Sequence, residues 1–189
     1  PSAATTDKET VVNMTTYSYF NLNGDPSKEG TNMWLYLNAD NYTPADSTYM
    51  TTGEIRSVEG TPMDFRKAHA LEETINDTSF DQIRNATGYD HNWCLNTYKN
   101  GKGDDTKVCA VLWSPVTKIG LSMYTNEPGV QVYTGNFQGT GVSCKHGIKY
   151  PKHVSVCLES QKYPDSPNKP NWPSPYLKPG EKYYSHVAY

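Results

Sequence analysis

The chain has 189 residues, enough for one domain with a sizeable core, and carries a formal net charge of −3 with an isoelectric point near 5.9. That mild acidity, with Lys and Arg scattered, excludes a basic nucleic-acid-binding surface. No apolar run approaches the roughly 18 residues of a membrane span, and no leader-like apolar segment is present, so the expectation is a soluble protein, cytoplasmic rather than secreted or periplasmic.

In chain order, Pro1-Ser2-Ala3-Ala4-Thr5-Thr6-Asp7-Lys8 reads as a polar loop. Strand-like runs follow at Trp34–Leu37 and at residues 108–113, 119–124, 130–133 and 154–158. Turn signals separate them: Asn23-Gly24-Asp25-Pro26, Asn100-Gly101-Lys102-Gly103, Glu127-Pro128-Gly129 and Lys178-Pro179-Gly180. The one helix candidate is short and covers residues 67–73. Many short strands with frequent turns imply an all-β sandwich or barrel. Fifteen Tyr and four Trp suit such strands, and some suit a sugar cleft, where aromatic faces stack on C–H surfaces. Cys94, Cys109 and Cys157 sit in apolar runs and read as small buried hydrophobes. A Cys94–Cys109 disulfide is the alternative if those strands pair.

One carboxylate stands out. Glu159 closes the apolar run Val154-Ser155-Val156-Cys157-Leu158 and precedes the rigid, aromatic loop Lys162-Tyr163-Pro164-Asp165-Ser166-Pro167-Asn168. A carboxylate at the end of a core strand is desolvated, hydrogen-bonded or at work, unless it is a surface Glu that merely ends the strand.

Other blocks accompany it: Asn13-Met14-Thr15-Thr16-Tyr17-Ser18-Tyr19-Phe20-Asn21-Leu22, Gly60-Thr61-Pro62-Met63-Asp64-Phe65-Arg66, Gly88-Tyr89-Asp90-His91-Asn92-Trp93 and Gly129-Val130-Gln131-Val132-Tyr133. In order and spacing, from about Thr10 onward, they resemble the blocks of aldose 1-epimerases (galactose mutarotases). The resemblance implies a large antiparallel β-sandwich with a sugar cleft on its concave face. It implies acid–base opening of a free hexose ring, with no metal or organic cofactor. By the same resemblance Glu159 is the catalytic base, Asp90 hydrogen-bonds sugar hydroxyls and Gln131 contacts the sugar. His91 is left out, because strand alternation points it away from Asp90.

Two departures qualify the resemblance. Members of that family are substantially longer, and only their C-terminal part is matched. The expectation is therefore an incomplete sandwich, completed by an N-terminal segment or a second chain. Tyr17 stands where the family carries a His as general acid. Phenol is the weaker acid by about 3.5 units, roughly 5 kcal/mol in proton affinity. The alternative is thus a sugar-binding relative with impaired catalysis. A third reading, a glycoside hydrolase, would use Asp90 and Glu159 as its carboxylate pair.

Overall fold

The computed structural model describes residues 1–189 as two main antiparallel sheets packed face to face, with three two-stranded ribbons beside them, in keeping with the expected all-β sandwich. The five-stranded sheet runs in the order Val187–Ala188, Gly120–Thr125, Ala110–Trp113, Trp34–Leu37, His69–Ala70. The six-stranded sheet runs Tyr19–Phe20, Val156–Gln161, Gly129–Tyr133, Asp90–Cys94, Asn41–Thr43, Arg56–Ser57. All four edge strands are two residues long, which leaves little unpaired backbone at the rims. No helix is long and apolar enough to cross a membrane.

Alternation explains which faces meet. Leu35, Leu37, Ala110, Leu112 and Met123 are fully buried, and their neighbours Trp34, Tyr36, Val111 and Ser122 point outward and are only partly covered. The register stacks Leu112 against Leu35, and Ala110 between Leu37 and Met123. From the other sheet, Tyr42, Trp93, Val130, Val132, Val156 and Leu158 close the same core of 22 buried residues. The opposite face of that second sheet is polar, and it carries the candidate site.

The helix lies elsewhere than expected. Residues 67–73 form the edge strand His69–Ala70, paired to Trp34 and Leu35, and a 3-10 turn at Leu71–Glu73. Glu73 bends back to accept the Ala70 amide, which closes that turn instead of propagating a helix. The α-helix is Asp81–Ala86. Its signals were local: an acid in the first turn, Arg84 in the last, and Gly88 just beyond a left-handed Thr87 (φ 54°). The N-terminal stretch is not all loop, because Ser2–Ala4 pairs with Tyr183–Ser185. Asn100-Gly101 does form the expected turn, with φ of 53° and 77° between the paired strands Tyr98–Lys99 and Lys102–Gly103. All four cysteines are free; Cys94 ends a strand of the six-stranded sheet, Cys109 precedes Ala110–Trp113 of the five-stranded sheet, and no bridge joins them.

The Val156–Gln161 strand is anchored at its far end by charge. Lys162 Nζ lies 2.5 Å from Glu127 Oε2, and Glu127 is 1% exposed. The Tyr183 hydroxyl donates to the same carboxylate at 3.3 Å. Asn13 brackets the Lys162 backbone, accepting from its N–H at 2.9 Å and donating to its carbonyl at 3.2 Å. This ties the segment leading to Tyr17 onto the end of the Glu159 strand. Removing one partner of a buried pair strands the other charge. Lys162→Met should therefore destabilise the chain by about 3–5 kcal/mol in urea titrations. Lys28→Met, which breaks the exposed pair with Asp25, should leave the midpoint nearly unchanged.

Candidate active site

The polar face is built from three neighbouring strands. Gln131 lies opposite Glu159 on one side and Asn92 on the other. One step along, Tyr133 lies opposite Cys157 and Asp90, and Cys157 lies opposite Tyr19. Glu159, Gln131, Asn92 and Asp90 thus share one face by register alone. Glu159 does not end its strand, as its sequence context suggested. The ladder continues through Ser160 and Gln161, which pair with Val130 and Gly129. Tyr17 arrives from the loop before Tyr19–Phe20, and its ring packs 6.4 Å from Tyr133 and 5.4 Å from Tyr19.

Asp90 is held at the start of its strand by a rigid approach. The Gly88 backbone has φ of 139°, and a Cβ there would strike Asn136 Oδ1, His153 Cε1 and Thr134 Oγ1. Asn136 Nδ2 donates to the Ala86 and Tyr89 carbonyls at 2.9 and 3.0 Å. The Tyr89 amide donates to Thr134 Oγ1 at 3.0 Å, and its hydroxyl donates to the Pro62 carbonyl at 2.9 Å. His91 turns to the core face, between the rings of Tyr42 and Trp93, and burial lowers its pKa to about 4. It is neutral there at ordinary pH.

Electrostatics single out Glu159. It is 6% exposed, and no hydrogen bond from the protein reaches its carboxylate. Burial first, and the nearby charge of Asp90 second, raise its pKa to about 7. Asp90 is also raised by burial, offset in part by the bond it accepts from Gln131 Nε2 at 2.8 Å. Tyr17 is half exposed, and the part of its phenol that is covered, its contact with the Tyr19 hydroxyl and the Glu159 charge push its pKa above the ordinary value. It is a proton donor throughout the ordinary pH range. Beside these groups, Pro164 of the loop after the Glu159 strand joins Thr43, Thr51, Asp90, His91, Asn92 and Gln131 around a recess of about 100 Å³, which Asp90 and Gln131 line and Glu159 and Tyr17 do not. Four larger surface depressions, of about 710, 810, 390 and 280 Å³, are lined by none of the four candidate residues, though the last is lined by their chain neighbours Thr16 and Ser160. No cluster of three or more His, Cys, Asp or Glu side chains is arranged to hold a metal ion.

The four side chains singled out from sequence therefore come to the same region: Glu159, Asp90 and Gln131 on the sheet face, and Tyr17 against Tyr133 beside them. Asn92, Tyr133 and Gln161 share that face and were not singled out. The signal was available, since each lies two residues from a candidate on the same strand.

The aldose 1-epimerase family pattern matches residues 2–189. The chain belongs to the aldose 1-epimerase family. It is similar to human galactose mutarotase, at 40% identity over 181 residues covering 95% of this chain and 49% of that protein. It is 41% identical to the aldose 1-epimerase of Escherichia coli K12 over 188 residues, covering 98% of this chain and 52% of that protein. An aldose epimerase homologue from C. elegans superposes with a TM-score of 0.81 at 27% identity, over 98% of this chain and 52% of that one. Galactose 1-epimerase from Lactobacillus acidophilus gives 0.76 at 27%, over 98% and 50%. The chain thus spans about half the length of the relatives it matches.

The raised Glu159 pKa has a stability consequence. Below its ordinary value of 4.5 the folded and unfolded chains both hold the proton, and the stabilising contribution is fully present. As pH rises toward about 7 only the folded chain keeps it, so that contribution is lost across this window. A ¹³C titration of the Glu159 carboxyl should show a midpoint near pH 7, and Asp90→Asn should lower it. Glu159→Gln should be more stable relative to the unaltered chain at pH 8 than at pH 4.5.

Proposed function

We propose that the complete protein interconverts the α and β anomers of free hexoses such as glucose and galactose. The observation that carries this reading is the Glu159 carboxylate: nearly buried, without an internal hydrogen-bond donor and titrating near 7 beside Asp90. A base that must take and return a proton near neutrality works best when its pKa lies near the working pH. In this reading Glu159 removes the proton from the anomeric hydroxyl, the ring C–O bond breaks, and the ring oxygen is protonated. Rotation about the C1–C2 bond exposes the other carbonyl face, and closure reverses both transfers. Asp90 and Gln131 hold sugar hydroxyls and fix the ring against Glu159.

Tyr17 is the weak part of the machinery. Its hydroxyl can polarise the ring oxygen by donating a hydrogen bond. Its raised pKa makes full proton delivery harder than for a free phenol. Turnover is accordingly slow unless another group of the complete protein supplies the proton. The same observation favours a second reading, a sugar-binding relative that retains the recess and has lost turnover.

Polarimetry of freshly dissolved α-D-glucose separates these readings. The complete protein should speed the decay of rotation, and Glu159→Gln should remove about 10²–10⁴-fold of that acceleration. Tyr17→His should raise the rate. A protein that binds galactose yet leaves mutarotation at the buffer rate, before and after Tyr17→His, would establish the binding reading instead.

A further inference from the structure

Gln161 lies on the same strand and face as Glu159, two residues further on, and is 8% exposed. Its Nε2 donates two hydrogen bonds, to Gln131 Oε1 at 3.1 Å and to Asn92 Oδ1 at 3.3 Å. Both amide hydrogens are thereby used, on side chains from two other strands. The consequences run outward from there. With its oxygen engaged, Gln131 turns its Nε2 toward Asp90 Oδ1 at 2.8 Å. With its oxygen engaged, Asn92 turns its Nδ2 toward Thr43 Oγ1 at 3.5 Å.

The direction of this chain is dictated by its acidic end. An ionised carboxylate only accepts, so Gln131 must offer Asp90 its N–H and is left with a carbonyl to satisfy. That carbonyl needs a donor, and Gln161 is the donor. We infer that Gln161 is a positioning residue, whose amide holds Gln131 in the one orientation that pairs with Asp90 and presents both to a sugar. This rests on the epimerase reading for the word sugar, though not for the geometry.

A second, independent observation concerns Gly129, which lies opposite both Gln161 and Cys94 in the sheet. Its φ is not positive, so backbone conformation does not require glycine. Space does. A Cβ at 129 would fall on Asn92 Oδ1, the atom that accepts from Gln161, and 3.0 Å from Tyr163 Cδ1. The missing side chain on the middle strand leaves the gap through which Gln161 reaches Asn92 two strands away. An apolar or merely space-filling role for Gln161 would not need that gap.

The test uses the complete protein with Gln161→Met, which keeps volume and removes the donor, Gln161→Glu, which replaces it by an acceptor, and Gly129→Ala. Two readouts are taken. The first is hydrogen exchange of the Gln131 side-chain amide by ¹⁵N NMR. The second is the split between KM and kcat for galactose. Slow exchange of the Gln131 amide is expected in the unaltered protein, and exchange accelerated about tenfold or more in all three variants. KM should rise about tenfold in Gln161→Met and more in Gln161→Glu, with kcat changed less than about threefold, the pattern for lost uniform binding. An unchanged Gln131 amide together with an unchanged KM in Gln161→Met would overturn the inference. So would a fall in kcat and melting temperature with KM intact, which marks a packing role. An unaltered protein that neither binds nor interconverts hexoses would overturn the epimerase reading, and the amide exchange would still decide the positioning role.

Discussion

A carboxylate buried in the middle of a strand, with no donor from its own chain, is the constraint around which the rest of this molecule is arranged. Such a group is costly to desolvate, and folded chains normally pair it or leave it in water. Here the ladder through Glu159, Ser160 and Gln161 fixes the backbone from which its side chain projects onto the polar face. Neighbouring Asp90 adds like charge rather than relief. The scaffold tolerates this because its other face buries Val130, Val132, Val156 and Leu158 completely or nearly so. The cost of the polar face is offset by the apolar one, on the same strands and at alternate residues.

Rigidity is the second theme. The approach to Asp90 is held by Gly88, by two hydrogen bonds that the Asn136 side chain donates to the Ala86 and Tyr89 carbonyls, and by a buried Tyr89. Gln131 is held through Gln161, and the strand end beyond Gln161 is held by the Lys162–Glu127 pair. Glu159, Asp90 and Gln131 themselves lie on paired strands, so each of these site groups has a rigid base. Tyr17 is the exception. It sits on an irregular segment, 55% exposed, and depends on ring contacts with Tyr19 and Tyr133.

Much of this was legible in the residues. The runs at Trp34–Leu37 and 130–133 are apolar, strand-like and bounded by turn residues, and their strands formed close to where those signals put them. The family resemblance reached the right fold because several ordered blocks constrain more than any one motif. Three misreadings have physical causes. Glu159 looked like a strand end because a charged residue usually closes an apolar run; a strand with one polar face breaks that rule. Residues 67–73 have helical composition, and tertiary pairing with Trp34 and Leu35 overrode it. Gln161 was missed although its spacing from Glu159 put it on the same face; its partners across the sheet, Gly129 and Asn92, are set by register and could not be read from spacing.

The central claim is that a buried carboxylate with a pKa near 7 is the working base of an anomer exchange. The most direct measurement is the pH dependence of that exchange, followed by exchange NMR between the anomeric protons of equilibrated glucose with the complete protein. The account predicts a rate that rises with pH through a midpoint near 7, tracking Glu159, and then levels off with no alkaline decline attributable to Tyr17. A midpoint at the ordinary carboxylate value of 4.5, or an acceleration that survives Glu159→Gln unchanged, would contradict it.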